Sequence, residues 1–165
     1  MFASSEVDLG SKRSAWLSVA AVATVVLLLD QGSKLWIRNS LLMGERHDGF
    51  AFLDIVRVGN KGVAFGVLGG HGWLVPALSI VASIAVLVWF AKHAREPWTW
   101  LPAGLVIGGA FGNFVDRGTQ GEVTDFIKLP HWPAFNIADI AITCGVILLV
   151  ILAEMNSRRD ATTGN

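Results

Sequence analysis

The chain has 165 residues, 53% of them hydrophobic and only 16% charged, with mean hydropathy +0.54. Such a composition lies outside the range of an ordinary soluble domain and makes a bilayer the expected solvent. Thirteen basic side chains balance thirteen acidic ones at a sequence pI near 6.9, which leaves no basic excess for nucleic acid.

A helix crossing the hydrocarbon layer takes about 20 apolar residues at about 1.5 Å of rise each. Four windows meet this, at 14–37, 72–91, 97–115 and 135–153, and they predict a single all-α membrane domain with outer segments at 38–71 and 116–134. In the first window an apolar run from Ser14 to Leu29 meets Asp30, Gln31 and Lys34 before resuming at Leu35-Trp36-Ile37. Lys12-Arg13 ahead of that run resembles the start of a secretion signal. No small-x-small site closes it, so an uncleaved first span is expected.

Between the first two windows, Phe52 to Val58 is rich in β-formers and meets a turn signal at Gly59-Asn60, with Val63 to Val67 as a possible partner strand. A small extracytoplasmic β-sheet is the expectation, and Asn39 to Met43 reads as a short interfacial piece. The second and third windows carry no Lys, Arg, Asp or Glu. Gly104, Gly108 and Gly112 on the third form a small-residue stripe whose first explanation is packing within the bundle. The fourth is interrupted only by Asp139.

An even number of spans places both termini on one side. Lys12, Arg13, Lys92, Arg95, Arg158 and Arg159 would face one side, and Arg38, Arg46, Arg57, Lys61, Arg117 and Lys128 the other, so the bare count does not decide. The flanks of the first helix and the tight 92–96 turn favour cytoplasmic termini.

Charged groups near hydrocarbon cost about 2.5 to 3.5 kcal/mol at mid-membrane and are functional suspects. Asp30, Asp116 and Asp139 fall at the outer ends of their windows, and Asp125 lies in the outer segment between the last two. Asp30 and Lys34, four apart with the acid first, read as a structural ion pair. Arg117, beside Asp116 at a span end, suits a headgroup anchor, a pair with a carboxylate, or a substrate contact. Asn136 suits a helix N-cap with Asp139 at the third helical position, where the helix dipole favours an anion. Asp125 has the apolar setting Val123-Thr124-Asp125-Phe126-Ile127, which penalises its charge. Brought together, Asp125 and Asp139 would share one proton and activate water.

Other chemistries lack a pattern. His47, His71, His93 and His131 are scattered without metal-ligand spacing, no G-x-S-x-G is present, and Ser79 and Ser83 read as packing residues. No metal or cofactor is expected. The lone Cys144 permits no intramolecular disulfide and reads as a packing residue. A proton-coupled transporter would need acids at several depths, and an assembly protein built on the glycine stripe would tolerate loss of both Asp125 and Asp139.

Five segments in order carry a resemblance: Asp30-Gln31 with Lys34, Asn60-Lys61-Gly62-Val63-Ala64-Phe65, Gly108 to Arg117, Val123-Thr124-Asp125-Phe126, and Phe135-Asn136-Ile137-Ala138-Asp139. Together they resemble the bacterial lipoprotein signal peptidases, the type II signal peptidases. The resemblance implies a multi-pass aspartic endopeptidase of the bacterial plasma (inner) membrane, active at the extracytoplasmic face. It would remove the signal peptide from a prolipoprotein, cutting before the diacylglyceryl-modified cysteine. It implies Asp125 and Asp139 as the catalytic pair and Asn60, Asn113, Arg117 and Asn136 as substrate contacts or supports of the pair. Asp30, Lys34 and Asp116 take structural roles. The expected partners are the lipidated precursor and membrane lipid, with the chain acting as a monomer.

Overall fold

The computed structural model describes residues 3–49, 52–61 and 74–163, with side chains over 12–49, 52–61 and 77–158. Four long helices run through these residues: α1 (Ala3–Ser40), α2 (Leu74–His93), α3 (Trp100–Gln120) and α4 (Ile137–Thr163). A three-stranded antiparallel sheet, in the order β1 (Arg46–His47), β2 (Asp54–Asn60), β3 (Val123–Lys128), completes a mostly helical fold.

Two helical stretches, Lys12–Ser40 and Ile137–Arg158, are long and apolar enough to cross a membrane. A core helix of a water-soluble protein would be mostly buried, yet only 22% and 17% of these apolar windows are covered by the rest of the chain. Leu17, Leu28, Leu29 and Leu35 on α1 and Ile147, Val150 and Ile151 on α4 face outward. Such outward-facing apolar stripes are stable against hydrocarbon and costly against water.

The helix α3 is the hub, packing on both α1 and α4, and glycines permit the close approach. A Cβ at Gly104 or Gly108 would run into Val22 or the Ala23 backbone of α1, and one at Gly109 into the Ala138 carbonyl of α4. The stripe therefore packs helices of the same chain, as its first explanation required. At one end Val19, Val86, Phe90, Ala94, Ala103 and Val106 form an apolar cluster, with Trp16 set edge-on to Phe90 at 4.8 Å. The α2–α3 turn at this end is held by Thr99, whose hydroxyl donates to the His93 and Glu96 carbonyls.

The sheet differs from its sequence reading. β2 ends at Asn60, with Gly59 and Asn60 still paired as its last two residues, and it pairs with β1 and with β3 of the second outer segment. The proposed partner strand at Val63 to Val67 lies outside the described residues. Nor is Asn39 to Met43 a separate piece, because α1 continues to Ser40 and only Leu42 and Met43 are left exposed beyond it. Arg57 on β2 closes α1 by donating to the Arg38 and Leu41 carbonyls at 2.9 and 2.8 Å, a cation placed where a helix terminus carries partial negative charge. Cys144 is exposed on α4, so it is not the packing residue it resembles.

Candidate active site

The sheet and the N-terminus of α4 meet over α3, and this junction gathers the polar residues. Asp125 sits in β3, a strand buried over Val123–Phe126. Val58 stands directly across from it on β2, and Asn60, two residues on and therefore on the same face, reaches diagonally to Asp125. Asn60 Nδ2 donates to Asp125 Oδ2 at 3.0 Å.

Only a short return path separates β3 from α4. Phe135 bridges back to Ile127, with N–H···O bonds of 3.0 and 2.8 Å in both directions, around a loop in which His131 takes a left-handed conformation. This closure delivers Asn136 beside Asp125, and Pro130 and Pro133 fit within it.

Asn136 then begins α4 as the sequence predicts. Its Oδ1 accepts the Asp139 N–H at 3.0 Å, while its own N–H donates to Asp139 Oδ2 at 3.1 Å. These two bonds form a reciprocal capping box with Asp at the N3 position. Asn136 is completely buried, and its Nδ2 donates to Asp125 Oδ1 at 2.7 Å. One residue thus bonds both acids.

Asn113 on α3 supports the second acid. Its Nδ2 donates to Asp139 Oδ1 at 2.9 Å, and its Oδ1 accepts from Asn136 at 3.2 Å and from Lys34 Nζ at 2.9 Å. Lys34 also faces Asp30 at 2.8 Å and Asp116 at 3.3 Å, all three side chains being fully buried. The Asp30–Lys34 pair is present as read, and it is joined to the site through Asn113.

Asp116 does not turn to its neighbour Arg117. It accepts from the Thr124 N–H of β3 at 2.9 Å, from Gln31 at 3.2 Å and from Arg38 at 3.4 Å, tying the strand of Asp125 to the helices. Arg117, half-buried, donates to the Asn113 carbonyl at 3.3 Å and closes one end of an apolar groove of ≈ 310 Å³ between α2 and α3, lined by Ile84, Leu87, Phe111 and Phe114. Ser79 and Ser83 also line that groove, with the Ser83 hydroxyl turned to the Ser79 carbonyl.

Of the six residues expected at the site, Asn60, Asn113, Asp125, Asn136 and Asp139 form one hydrogen-bonded cluster, and Arg117 touches it through the Asn113 carbonyl. Sequence reasoning missed Gln31 and Thr124 as linkers, since nothing in spacing along the chain announces that Asp116 would choose them. The available signals are their adjacency to Asp30 and Asp125 and their place in the segments that carry the resemblance.

Burial drives the Asp125 pKa up to about 6, against the lowering effect of Asn60; the Asp139 charge adds to the rise, and Asn136 and Lys34 oppose it. Asp125 therefore keeps its proton to a higher pH than an ordinary aspartate, and the neighbouring Asp139 charge contributes to that rise. Among the described residues no group of three or more His, Cys, Asp or Glu is placed to hold a metal ion.

The chain is similar to known proteins over most of its length. Residues 22–155 match the family model described as Signal peptidase (SPase) II. A lipoprotein signal peptidase of Syntrophomonas wolfei is 40% identical over 141 residues, covering 82% of this chain and 92% of that one. One from Paraburkholderia phytofirmans is 36% identical over 144 residues, covering 82% of each. Two solved structures of bacterial membrane enzymes superpose with TM-scores of 0.67 and 0.68 at 30% and 29% identity. They cover 82% and 89% of this chain and 91% of each solved chain. With the family model matched over residues 22–155 and a relative 40% identical over 141 residues, the chain belongs to the signal peptidase II family and is a peptidase.

Proposed function

We propose that the chain is an aspartic endopeptidase that removes the signal peptide from prolipoproteins, cleaving before the diacylglyceryl-modified cysteine, with Asp125 and Asp139 as the catalytic pair. The observation that carries this reading is the double engagement of Asn136, bonded to Asp125 through its amide and to Asp139 through its capping box.

In this mechanism the ionised acid takes a proton from water as the oxygen attacks the scissile carbonyl. The protonated acid gives its proton to the carbonyl oxygen, producing a neutral tetrahedral diol. The first acid then protonates the departing amide nitrogen while the second recovers a proton from the diol, and the C–N bond breaks to acid and amine. The pair ends with the one proton it began with and titrates as a unit. Asn60, Asn113 and Asn136 position the acids without adding charge, and Arg117 meets the substrate backbone at the groove.

The same reading gives a single membrane domain with four spans, cytoplasmic termini and the sheet on the extracytoplasmic side of a bacterial inner membrane. Trp16 and Trp36, both exposed, are separated by about 30 Å along α1 at 1.5 Å per residue, which is the thickness of the hydrocarbon core. Trp98 lies exposed at the Trp16 end and Trp132 at the Trp36 end, consistent with two interfacial aromatic belts. Because Gly104 and Gly108 are already occupied by α1, a monomer suffices.

The test is turnover of a lipidated precursor by the purified protein in detergent, with the unlipidated precursor as control. Asp125→Asn and Asp139→Asn are expected to abolish cleavage, and chelators and serine-protease reagents to leave it intact. Full turnover by either variant would remove the acid pair, and sensitivity to chelators would replace it with a metal.

A further inference from the structure

We propose that Lys34, beyond its ion pairs, is a positioning residue of the peptidase centre: its ammonium fixes which way the Asn113 amide points and so where the Asp139 carboxyl is held. This rests on the assignment of Asp139 to the acid pair. An ammonium only donates hydrogen bonds, so the Asn113 atom at 2.9 Å from Nζ has to be the amide oxygen. The NH2 end is then turned to Asp139 Oδ1, 2.9 Å away, and the oxygen end takes its second bond from Asn136. Were the amide reversed, its NH2 would face both the ammonium and the Asn136 NH2, while its oxygen faced a carboxylate oxygen. Lys34 makes that arrangement prohibitive.

Charge balance alone does not require this third bond. Asp30 and Asp116 face Lys34, and Arg38 takes a second contact with Asp116 at 3.4 Å, so two cations already meet two anions. The third donor of the ammonium is directed at the site. Lys34 is fully buried, so its field reaches the pair with little screening from water. It favours the charged form of Asp125 across the intervening amides. Among the described residues, the charged groups that face the pair or Lys34 are Asp30 and Arg38 from α1 and Asp116 and Arg117 from α3.

The experiment uses the full-length enzyme in detergent and reads kcat, KM and the pH profile with a lipidated precursor. Lys34→Met is made together with Asp30→Asn, which removes one charge of each sign and leaves an acceptor for the α4 backbone. The double variant is expected to lose kcat by roughly 10- to 100-fold with KM little changed, and the pH limb set by Asp125 is expected to move upward. Lys34→Gln in the same Asp30→Asn background supplies a neutral donor to Asn113. It should recover part of the kcat while the pH limb stays displaced. A purely structural Lys34 would reduce only the amount of folded enzyme. Kcat per folded molecule and a pH profile matching Asp30→Asn alone, in either Lys34 variant, would overturn the proposal. Failure of the acid pair itself reads differently, as activity retained in Asp139→Asn whatever stands at position 34.

Discussion

The Asp30 carboxylate on α1 accepts the backbone N–H of Ala138 on α4 at 2.9 Å while facing Lys34 at 2.8 Å. Ala138 is the second residue of α4, one of the donors that a helix start leaves without an internal partner. Asp30 is therefore a cap supplied from another helix, and it pins the end of α4 that carries Asp139.

Replacing Asp30 by Ala removes that acceptor and leaves a buried ammonium short of one anion. Thermal or denaturant unfolding in micelles should show a loss of about 3–5 kcal/mol. Asp30→Asn keeps an acceptor for Ala138 and should fall between this variant and the parent.

Two glycines of α3 offer a sharper comparison. A Cβ at Gly112 would lie 2.5 Å from Asp30 Oδ2, and that oxygen is held by Lys34 and Gln31, so Gly112→Ala should cost about 1–3 kcal/mol and lower activity. At Gly118 nothing lies within 4 Å, and Gly118→Ala should stabilise the helix by up to about 1 kcal/mol. Equal melting shifts for the two would contradict the packing described.

The pH dependence follows from Asp125. Its pKa of about 6 in the folded protein stands above the ordinary aspartate value near 3.9, so the folded state binds more protons between these limits. Its contribution to stability is present in full below the unfolded value and falls as pH rises through about 6. Cleavage that depends on the shared proton should decline over the same alkaline limb. Asn60 donates to the carboxylate and favours its charged form, so Asn60→Ala should carry that limb to higher pH. An unmoved limb, measured as kcat/KM against pH, would separate Asn60 from the acid.

Asn136→Ala deletes the side-chain half of the capping box and the contact with Asp125. Loss of the cap alone should lower stability by about 1 kcal/mol. Activity should fall much further than that loss of folded protein explains, because both acids lose a partner at once.

Much of this was legible from residue order. Helical windows are long-range repetitions of one property, and the Asn136–Asp139 cap is a local rule acting over three residues, so both could be read before any coordinates. The pairing of β2 with β3 could not, because the hydrophobic pattern of Phe52 to Val58 marks a strand without naming its neighbour. Proximity along the chain points to 63–67, which lies outside the described residues, and nothing local announces β3, which the Thr124 N–H bond to Asp116 ties to the helices. The link from Lys34 to Asp139 was hidden for a similar reason: pairing four residues apart satisfied Lys34 on paper, and its third donor became visible only when α3 was placed beside α1.

Strand alternation also makes the length of the first outer segment a chemical constraint. Asn60 meets Asp125 because Val58 opposes it and two further residues return to the same face, across a register shift between Ile55 and Val58. Removing one residue near Gly59 would reverse that face and present Asn60 to the opposite side of the sheet, leaving the acid without its amide although no site residue had been altered. The tolerance for insertions and deletions usual in surface loops therefore ends at β2, where counting residues matters as much as choosing them.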